Sequence, residues 1–152
     1  MHLDLDQLIS DRPFCVRRFV RWGDCDPATI AYTPVFVDYC VNAIGLFVQA
    51  RAGVRQVSFF ENGTAMPYKA LSVEFHSPIA TGDAVDSTVR PTRIGHSSIS
   101  YAIAGACAER AVFDARVTHV CVDTRYGQPC AMPEALRAGL AQDAAELDAT
   151  AG

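Results

Sequence analysis

A chain of 152 residues, half of them hydrophobic and one fifth charged, has the size and composition of one globular domain with a substantial core. Its formal net charge of -4, with 13 Lys and Arg against 17 Asp and Glu, gives no basic footprint, so nucleic acid is not expected as a partner. No apolar run reaches the roughly 18 residues of a membrane span and the acidic start has no leader pattern, so no membrane partner and a cytoplasmic location are expected.

Residues 1–12 read as a short, weakly helical arm. Pro13 then precedes "FCVRRFVRW", in which Phe14, Val16, Val20 and Trp22 fall on one face of a first strand. The polar turn "GDCDP" follows at 23–27. A helix is predicted next, with Thr33 as its N-cap, Pro34 at the first helical position and Gly53 as its stop. Asp38, Asn42, Gly45 and Gln49 recur along it at three to four residue spacing, and apolar side chains cover nearly all the rest. A helix so apolar must be wrapped by its own sheet and neighbours.

The segment "VRQVSFFENGTAMP" reads as a loop with Asn62-Gly63 at its turn. From Tyr68 the period becomes two, with Leu71, Val73 and Phe75 alternating with Ser72, Glu74 and His76. "HSPIATGD" then turns the chain into "AVDSTVRPTRI", where Pro91 predicts a bend or bulge near an edge. "SSISYAIAGACA" presents Ile99, Tyr101 and Ile103 on one face and joins "AVFDARVTHVCVD" through a tight connection at Glu109-Arg110. The tail starts helically in "MPEALRAGLAQ", and residues 141–152 are expected to fray. One long helix followed by antiparallel strands is an α+β layout over a single domain, 1–152, with a curved sheet of about five strands around a central helix.

The six cysteines, Cys15, Cys25, Cys40, Cys107, Cys121 and Cys130, lie scattered through apolar segments, which predicts reduced, mostly buried thiols. His76, His96 and His119 show no ligand spacing, and His76 and His119 fall mid-strand, so all three read as structural. "GHSSI" lacks the second glycine of a serine nucleophile elbow. In the 23–27 turn, Cys25 reads as a packing residue and Asp24 as a hydrogen-bond brace. Asp26 stands seven residues before Thr33. A carboxylate there and the unpaired amides of the helix start could face one small molecule, the plan of an acyl-transfer site, although Asp-Pro is also ordinary turn chemistry.

The string "GDCDPATIAYTPVFVDY" resembles the signature of the 4-hydroxybenzoyl-CoA thioesterase family of hotdog-fold enzymes. Gly23 to Pro27, then Ala28, Ile30 and Pro34, fall in register, and "VEFHSPIATGD" and "RIGHSSISY" follow in the family's order, so the likeness runs from about Phe14 to Pro133. Thr29 stands where the family commonly has glycine, and Tyr32 where an aromatic such as Trp is often seen. The resemblance implies a hotdog fold and a thioesterase that uses no metal or cofactor and hydrolyses an acyl-CoA, aromatic ones such as 4-hydroxybenzoyl-CoA first.

It implies further that Asp26 attacks the thioester or activates water, and that the backbone amide of Thr33 polarises the carbonyl oxygen. Arg90, Arg93 and His96 are candidates for the nucleotide arm, although the 93–98 stretch lacks the basic cluster of some members; Tyr32 and Tyr68 could line an aryl pocket, and Pro27 and Ser97 are further substrate-binding candidates. A homo-oligomer is implied, at least a dimer and then a dimer of dimers, with the site built across two subunits. The alternatives are a thioesterase acting on acyl-carrier protein and a non-catalytic acyl-thioester binding protein of the same fold.

Overall fold

Burial along α1 (Thr33–Ala52) shows which side of the helix meets the core in the computed structural model, which describes residues 5–152. Phe36, Tyr39, Cys40, Ala43, Ile44, Phe47 and Val48 are buried, and their three-four spacing lines them up as one stripe. The helix starts at Thr33 itself, one residue before the expected boundary, and stops before Gly53, whose φ of +69° is the left-handed cap that the sequence predicts. Its length and mean hydropathy of 1.2 also make it long and apolar enough to cross a membrane, contrary to the expectation that no run reaches that length. Within the stripe, Phe36 packs on Phe75 and Phe113, and Phe47 on Tyr101.

Six strands form the main sheet: β1 (Asp6–Asp11), β2 (Phe14–Phe19), β4 (Tyr68–Phe75), β5 (Ala84–Ile94), β6 (Ser98–Cys107) and β7 (Arg110–Val120), in the spatial order β1-β2-β5-β6-β7-β4. A two-stranded ribbon joins β3 (Thr64–Ala65) to β8 (Val122–Asp123). One long helix and an antiparallel sheet make the α+β hotdog architecture that the sequence predicts, with one strand more than expected. The chain divides into two compact units: residues up to 44 with 72–90 and 102–115, and residues 45–71 with 91–101 and 116–152.

In the first unit, the extra strand is the expected helical arm. Asp6 to Asp11 pairs with Arg18 to Phe14, and Arg18 donates from Nε and Nη2 to the Asp6 carboxylate at 2.7 and 2.5 Å. Arg18 also reaches Asp38 at 3.2 Å and lies 5.3 Å over the Tyr39 ring, which lets a buried guanidinium share the face of Phe14, Val16 and Val20. Residues 1–4 of the expected arm lie outside the described residues. Trp22 is not on the core face: β2 ends at Phe19, the chain enters a 3-10 turn at Trp22–Asp24, and the indole is 82% exposed.

β5 lies inside the sheet, between β2 and β6, and its pairing with β2 runs from Ala84 to Val89, so Pro91 falls outside that paired stretch. Gly105 on β6 lets the Phe113 ring lie against the strand, since a Cβ there would stand 2.1 Å from Phe113 Cε1. Phe113 and Phe75 then pack edge-on against Phe36, with centroids 5.6 and 4.9 Å away.

In the second unit, Phe47 packs edge-on against Tyr101 at 5.8 Å. The expected loop at 54–67 contains α2 (Gln56–Glu61) and β3, with Phe59 buried. The 141–152 tail is not frayed: α3 (Glu134–Gly139) leads through Leu140 into α4 (Ala141–Thr150). Leu136, Leu140 and Asp143 are buried on one stripe, and Asp143 accepts from Arg51 Nε at 2.8 Å. A Cβ on Gly139 would stand 1.6 Å from the Arg51 carbonyl oxygen, so only glycine allows this approach. The β6–β7 connection, within the first unit, turns at Ala108-Glu109, one residue earlier than expected, with Ala108 at a φ of +53°.

Candidate active site

The turn between β2 and α1 is closed on itself before any side chain acts. Asp26 N–H donates to Ile30 O at 3.0 Å, Thr29 N–H to Asp26 O at 2.8 Å, and Ala28 N–H to Asp26 Oδ1 at 2.8 Å. The same stretch is fastened to the body of the first unit through Ala31 N–H to Ile79 O at 2.8 Å and Tyr32 N–H to Asp24 O at 3.0 Å. Thr29 holds a φ of +66°, the left-handed conformation that glycine takes without cost, which explains physically why the residue is a departure from the family pattern.

Asp24 is the buried brace that the sequence predicts. Its carboxylate accepts from Arg21 N and Nη2, both at 3.0 Å, and from the Tyr39 hydroxyl at 3.0 Å. Burial alone would raise its pKa, but these Arg21 and Tyr39 hydrogen bonds outweigh it and hold the carboxyl below its ordinary value. Tyr39 is driven up, first by burial and then by the same bond to Asp24. Cys25 is half-buried, with Sγ 3.4 Å from Thr81 Oγ1. All six cysteines are free thiols, and burial pushes Cys40 up to about 12 and Cys121 up to about 11, far from the thiolate form at neutral pH.

At the start of α1 a cleft of about 310 Å³ opens, lined by Ile30, Ala31, Thr33, Phe36, Phe75, His76, Ser77 and Pro78. Val35 N–H is bonded to Tyr32 O at 2.9 Å, Pro34 has no N–H, and Thr33 N–H makes no hydrogen bond to another described residue. The amide left open at the helix start therefore belongs to a residue of the cleft wall. Asp26 does not line the cleft, yet it is hydrogen-bonded through its backbone to Ile30, which does.

Of the sequence-predicted residues, the cleft wall contains Thr33. Asp26, Pro27 and Tyr32 belong to the turn beside it, and Arg90 is exposed on β5. Tyr68, Arg93, His96 and Ser97 belong to the second unit. There Tyr68 is stacked on His119 with centroids 4.5 Å apart, and the backbone carbonyls of His96 and Ser97 accept from Met132 N–H and Cys121 N–H. Arg93 and His96 are exposed.

The sequence reading passes over His76, placing it mid-strand as a structural residue. It stands just past the end of β4, on the cleft wall, with Nε2 2.7 Å from Asp114 Oδ2. Its partner is 38 residues away on β7, so no local pattern could reveal the pair. Ser77 beside it donates to Ala111 O at 2.6 Å and accepts from Arg110 Nη1 at 2.8 Å. Among the described residues, no group of three or more His, Cys, Asp and Glu is gathered as a metal site would need.

A long helix on an antiparallel sheet, entered through a Gly-Asp-Cys-Asp-Pro turn, is the hotdog fold that the chain shares with solved structures. Residues 20–140 match the thioesterase-like superfamily, and the chain belongs to it. It is 25% identical over 129 residues to a 1,4-dihydroxy-2-naphthoyl-CoA hydrolase of Prochlorococcus marinus strain MIT 9313, covering 80% of this chain and 85% of the relative. The crystal structure of a 1,4-dihydroxy-2-naphthoyl-CoA thioesterase from Synechocystis superposes with a TM-score of 0.77 at 19% identity, over 84% of this chain and 94% of that one. A thioesterase-superfamily protein from Jannaschia sp. CCS1 superposes with a TM-score of 0.74 at 27% identity, over 87% and 93% of the two chains.

Proposed function

We propose that this chain hydrolyses an acyl-CoA with an aromatic acyl group to the free acid and CoA, and does so without metal or cofactor. The observation that carries the reading is the open Thr33 amide on the wall of an apolar cleft, next to the turn that holds Asp26. The amide at a helix start would stabilise the negative charge that develops on the thioester oxygen. Asp26 would supply the other half, in one of two ways. As a base it takes a proton from water, whose oxygen adds to the carbonyl carbon while the C–S bond breaks and the thiolate leaves, to be protonated by solvent. As a nucleophile it displaces the thiolate to give a mixed anhydride that water then cleaves.

The aromatic preference is supported by Phe36 and Phe75 in the cleft wall and by the naphthoyl-CoA named for the Prochlorococcus relative. The smaller 4-hydroxybenzoyl group is the first candidate by the motif's likeness. Pro27, Tyr32 and Tyr68 belong to the proposed acyl contacts, and Arg90, Arg93, His96 and Ser97 to those of the nucleotide arm. We propose a homo-oligomer in the cytoplasm, a dimer or a dimer of dimers. That is supported by the half-exposed outer side of α1 at Val37 and by the edge strands β1 and β4.

Steady-state hydrolysis of aromatic and short aliphatic acyl-CoAs, followed by thiol release, tests the reading with wild type and Asp26→Asn. A loss of at least 100-fold in kcat is expected for Asp26→Asn, in the range of positioned acid–base groups. Equal rates for the two proteins, or inertness across the panel, would refute it. Faster turnover of the same acyl group on acyl-carrier protein would move the substrate to that class, and a monomer by light scattering at micromolar concentration would remove the oligomer.

A further inference from the structure

The hairpin that follows β7 brings two thiols to facing positions. Val122 and Pro129 form an antiparallel bridge. The ladder bonds on either side of it run from Asp123 N–H to Gln128 O at 2.8 Å and from Cys130 N–H to Cys121 O at 2.9 Å. Cys121 and Cys130 are therefore directly opposed, on the same face of the pair. At such a hydrogen-bonded position the Cα atoms stand about 5.5 Å apart, inside the roughly 4.4–6.8 Å that a disulfide spans. The remaining cysteines face other groups: Cys15 is paired with Ser10 and Thr88, and Cys25 with Ala31. Cys40 lies buried in α1, and Cys107 ends β6.

The two thiols differ in access. Cys121 is fully buried and Cys130 half-buried. Burial first, and then the charge of the neighbouring Cys130, push the Cys121 thiol up to about 11, so the two sulfurs lie within electrostatic reach of each other.

We propose that Cys121 and Cys130 form a reversible oxidation site, at which Cys130 takes up a small-molecule disulfide such as oxidised glutathione and Cys121 closes the intramolecular bond. The Cys130 thiolate attacks one sulfur of the small disulfide, whose S–S bond breaks to give a mixed disulfide and one free thiol. Cys121 Sγ then loses its proton and attacks Cys130 Sγ, and the second small thiolate leaves and is protonated. Two protein thiols and one small disulfide become one protein disulfide and two small thiols. Excess reduced thiol drives the exchange back through the accessible Cys130 sulfur, so the dithiol is the resting form wherever glutathione is kept reduced. The bond would close the hairpin at its root. Cys121 N–H donates to Ser97 O at 2.7 Å and Met132 N–H to His96 O at 3.0 Å, so both stems of the hairpin carry the 96–97 connection. Neither thiol belongs to the proposed catalytic turn, and the redox chemistry stands or falls apart from the hydrolysis.

The test equilibrates the folded full chain in mixtures of oxidised and reduced glutathione, quenches with acid, alkylates the remaining thiols and applies trypsin and mass spectrometry without reduction. Cleavage after Arg125 separates the two thiols, so the bond appears as peptide 117–125 joined to peptide 126–137. Wild type is expected to give that linked pair at monomer mass on a non-reducing gel, with Cys15, Cys25, Cys40 and Cys107 alkylated and every thiol restored by excess reductant. Cys121→Ala is expected to retain glutathione on Cys130, and Cys130→Ser, altered at the half-buried position, to leave Cys121 reduced. Closing a loop of about ten residues constrains the unfolded chain, so oxidised wild type should melt about 5–10 °C above its reduced form, a shift that both variants lack. A wild type whose Cys121 and Cys130 both stay alkylatable in excess oxidised glutathione overturns the proposal. So does a linked pair that forms only in denaturant or that lowers the Tm, or a Cys130→Ser that still shows the rise.

Discussion

Thr29 stands at a φ of +66° in the tip of the turn that carries Asp26. The left-handed conformation costs a residue other than glycine about 1–2 kcal/mol, and a β-branched side chain belongs at the upper end of that range. The tip is kept in place by the bonds from Thr29 N–H to Asp26 O, from Asp26 N–H to Ile30 O and from Ala28 N–H to Asp26 Oδ1. None of these uses the threonine side chain. Thr29→Gly therefore keeps every bond and removes the strain, while the freer unfolded chain takes back about 0.5–1 kcal/mol. From a strain of about 2 kcal/mol the net gain is about 1–1.5 kcal/mol, at a rise in Tm of about 2–4 °C per kcal/mol for a chain of this size. Thr29→Val, which keeps the branch, should gain nothing. Guanidinium unfolding at one fixed protein concentration, read by circular dichroism, gives the midpoint and its slope. The reasoning fails if Thr29→Gly is neutral or destabilised at unchanged slope, or if valine stabilises as much as glycine.

Asp143→Asn should destabilise the fold by about 3 kcal/mol, because it leaves the Arg51 guanidinium short of a charged partner at a site where both side chains are nearly inaccessible; thermal melting that matches wild type would refute this. Acid should weaken the fold through His119. Burial, only partly offset by its bond to Met66 O, lowers its pKa to about 4 against an ordinary 6.5. Between those values the unfolded chain alone binds the proton, so the stability is full above about pH 6.5 and falls as pH drops toward 4, by about 3 kcal/mol. His119→Phe should show a shallower loss than wild type between pH 7 and pH 4.5, and equal acid slopes would contradict it. Tyr39→Phe removes one donor from the Asp24 carboxylate and should cost about 1.5 kcal/mol while raising the Asp24 pKa, both measurable by denaturation and NMR titration.

Helix α1 was legible because its signals are local: Pro34 near the start, Gly53 past the end, and an apolar repeat that matches the buried stripe from Phe36 to Val48. β5, β6 and β7 were legible for the same reason, with Val85, Val89, Ile99, Ile103, Val117 and His119 buried at even spacing. What escaped was held together by distant partners. β1 has a polar, mostly exposed sequence, and it becomes a strand by pairing with β2 and clasping Arg18 through Asp6. Asp143 interrupts the apolar stripe of the tail because Arg51, 92 residues away, fills the gap. At the candidate site, the motif points to Asp26 and Thr33, whose proposed roles depend on a turn contiguous in sequence. The opposite wall, from Phe75 to Pro78, comes from β4 and its following turn, and no spacing within the chain announces that His76 meets Asp114.

The closeness of Gly139 to the Arg51 carbonyl, together with the Arg51 to Asp143 bond, changes how the end of this chain should be handled. A polypeptide stopped at residue 140 would keep the backbone approach yet lose the carboxylate, leaving a nearly inaccessible guanidinium with one counter-charge fewer beside the Phe47 ring, 4.7 Å away. Residues 141–150 therefore belong to the folding unit and are not a spacer. Nonsense or frameshift changes there would be expected to act through clearance of a destabilised protein, even though every residue of the proposed chemistry lies upstream of them.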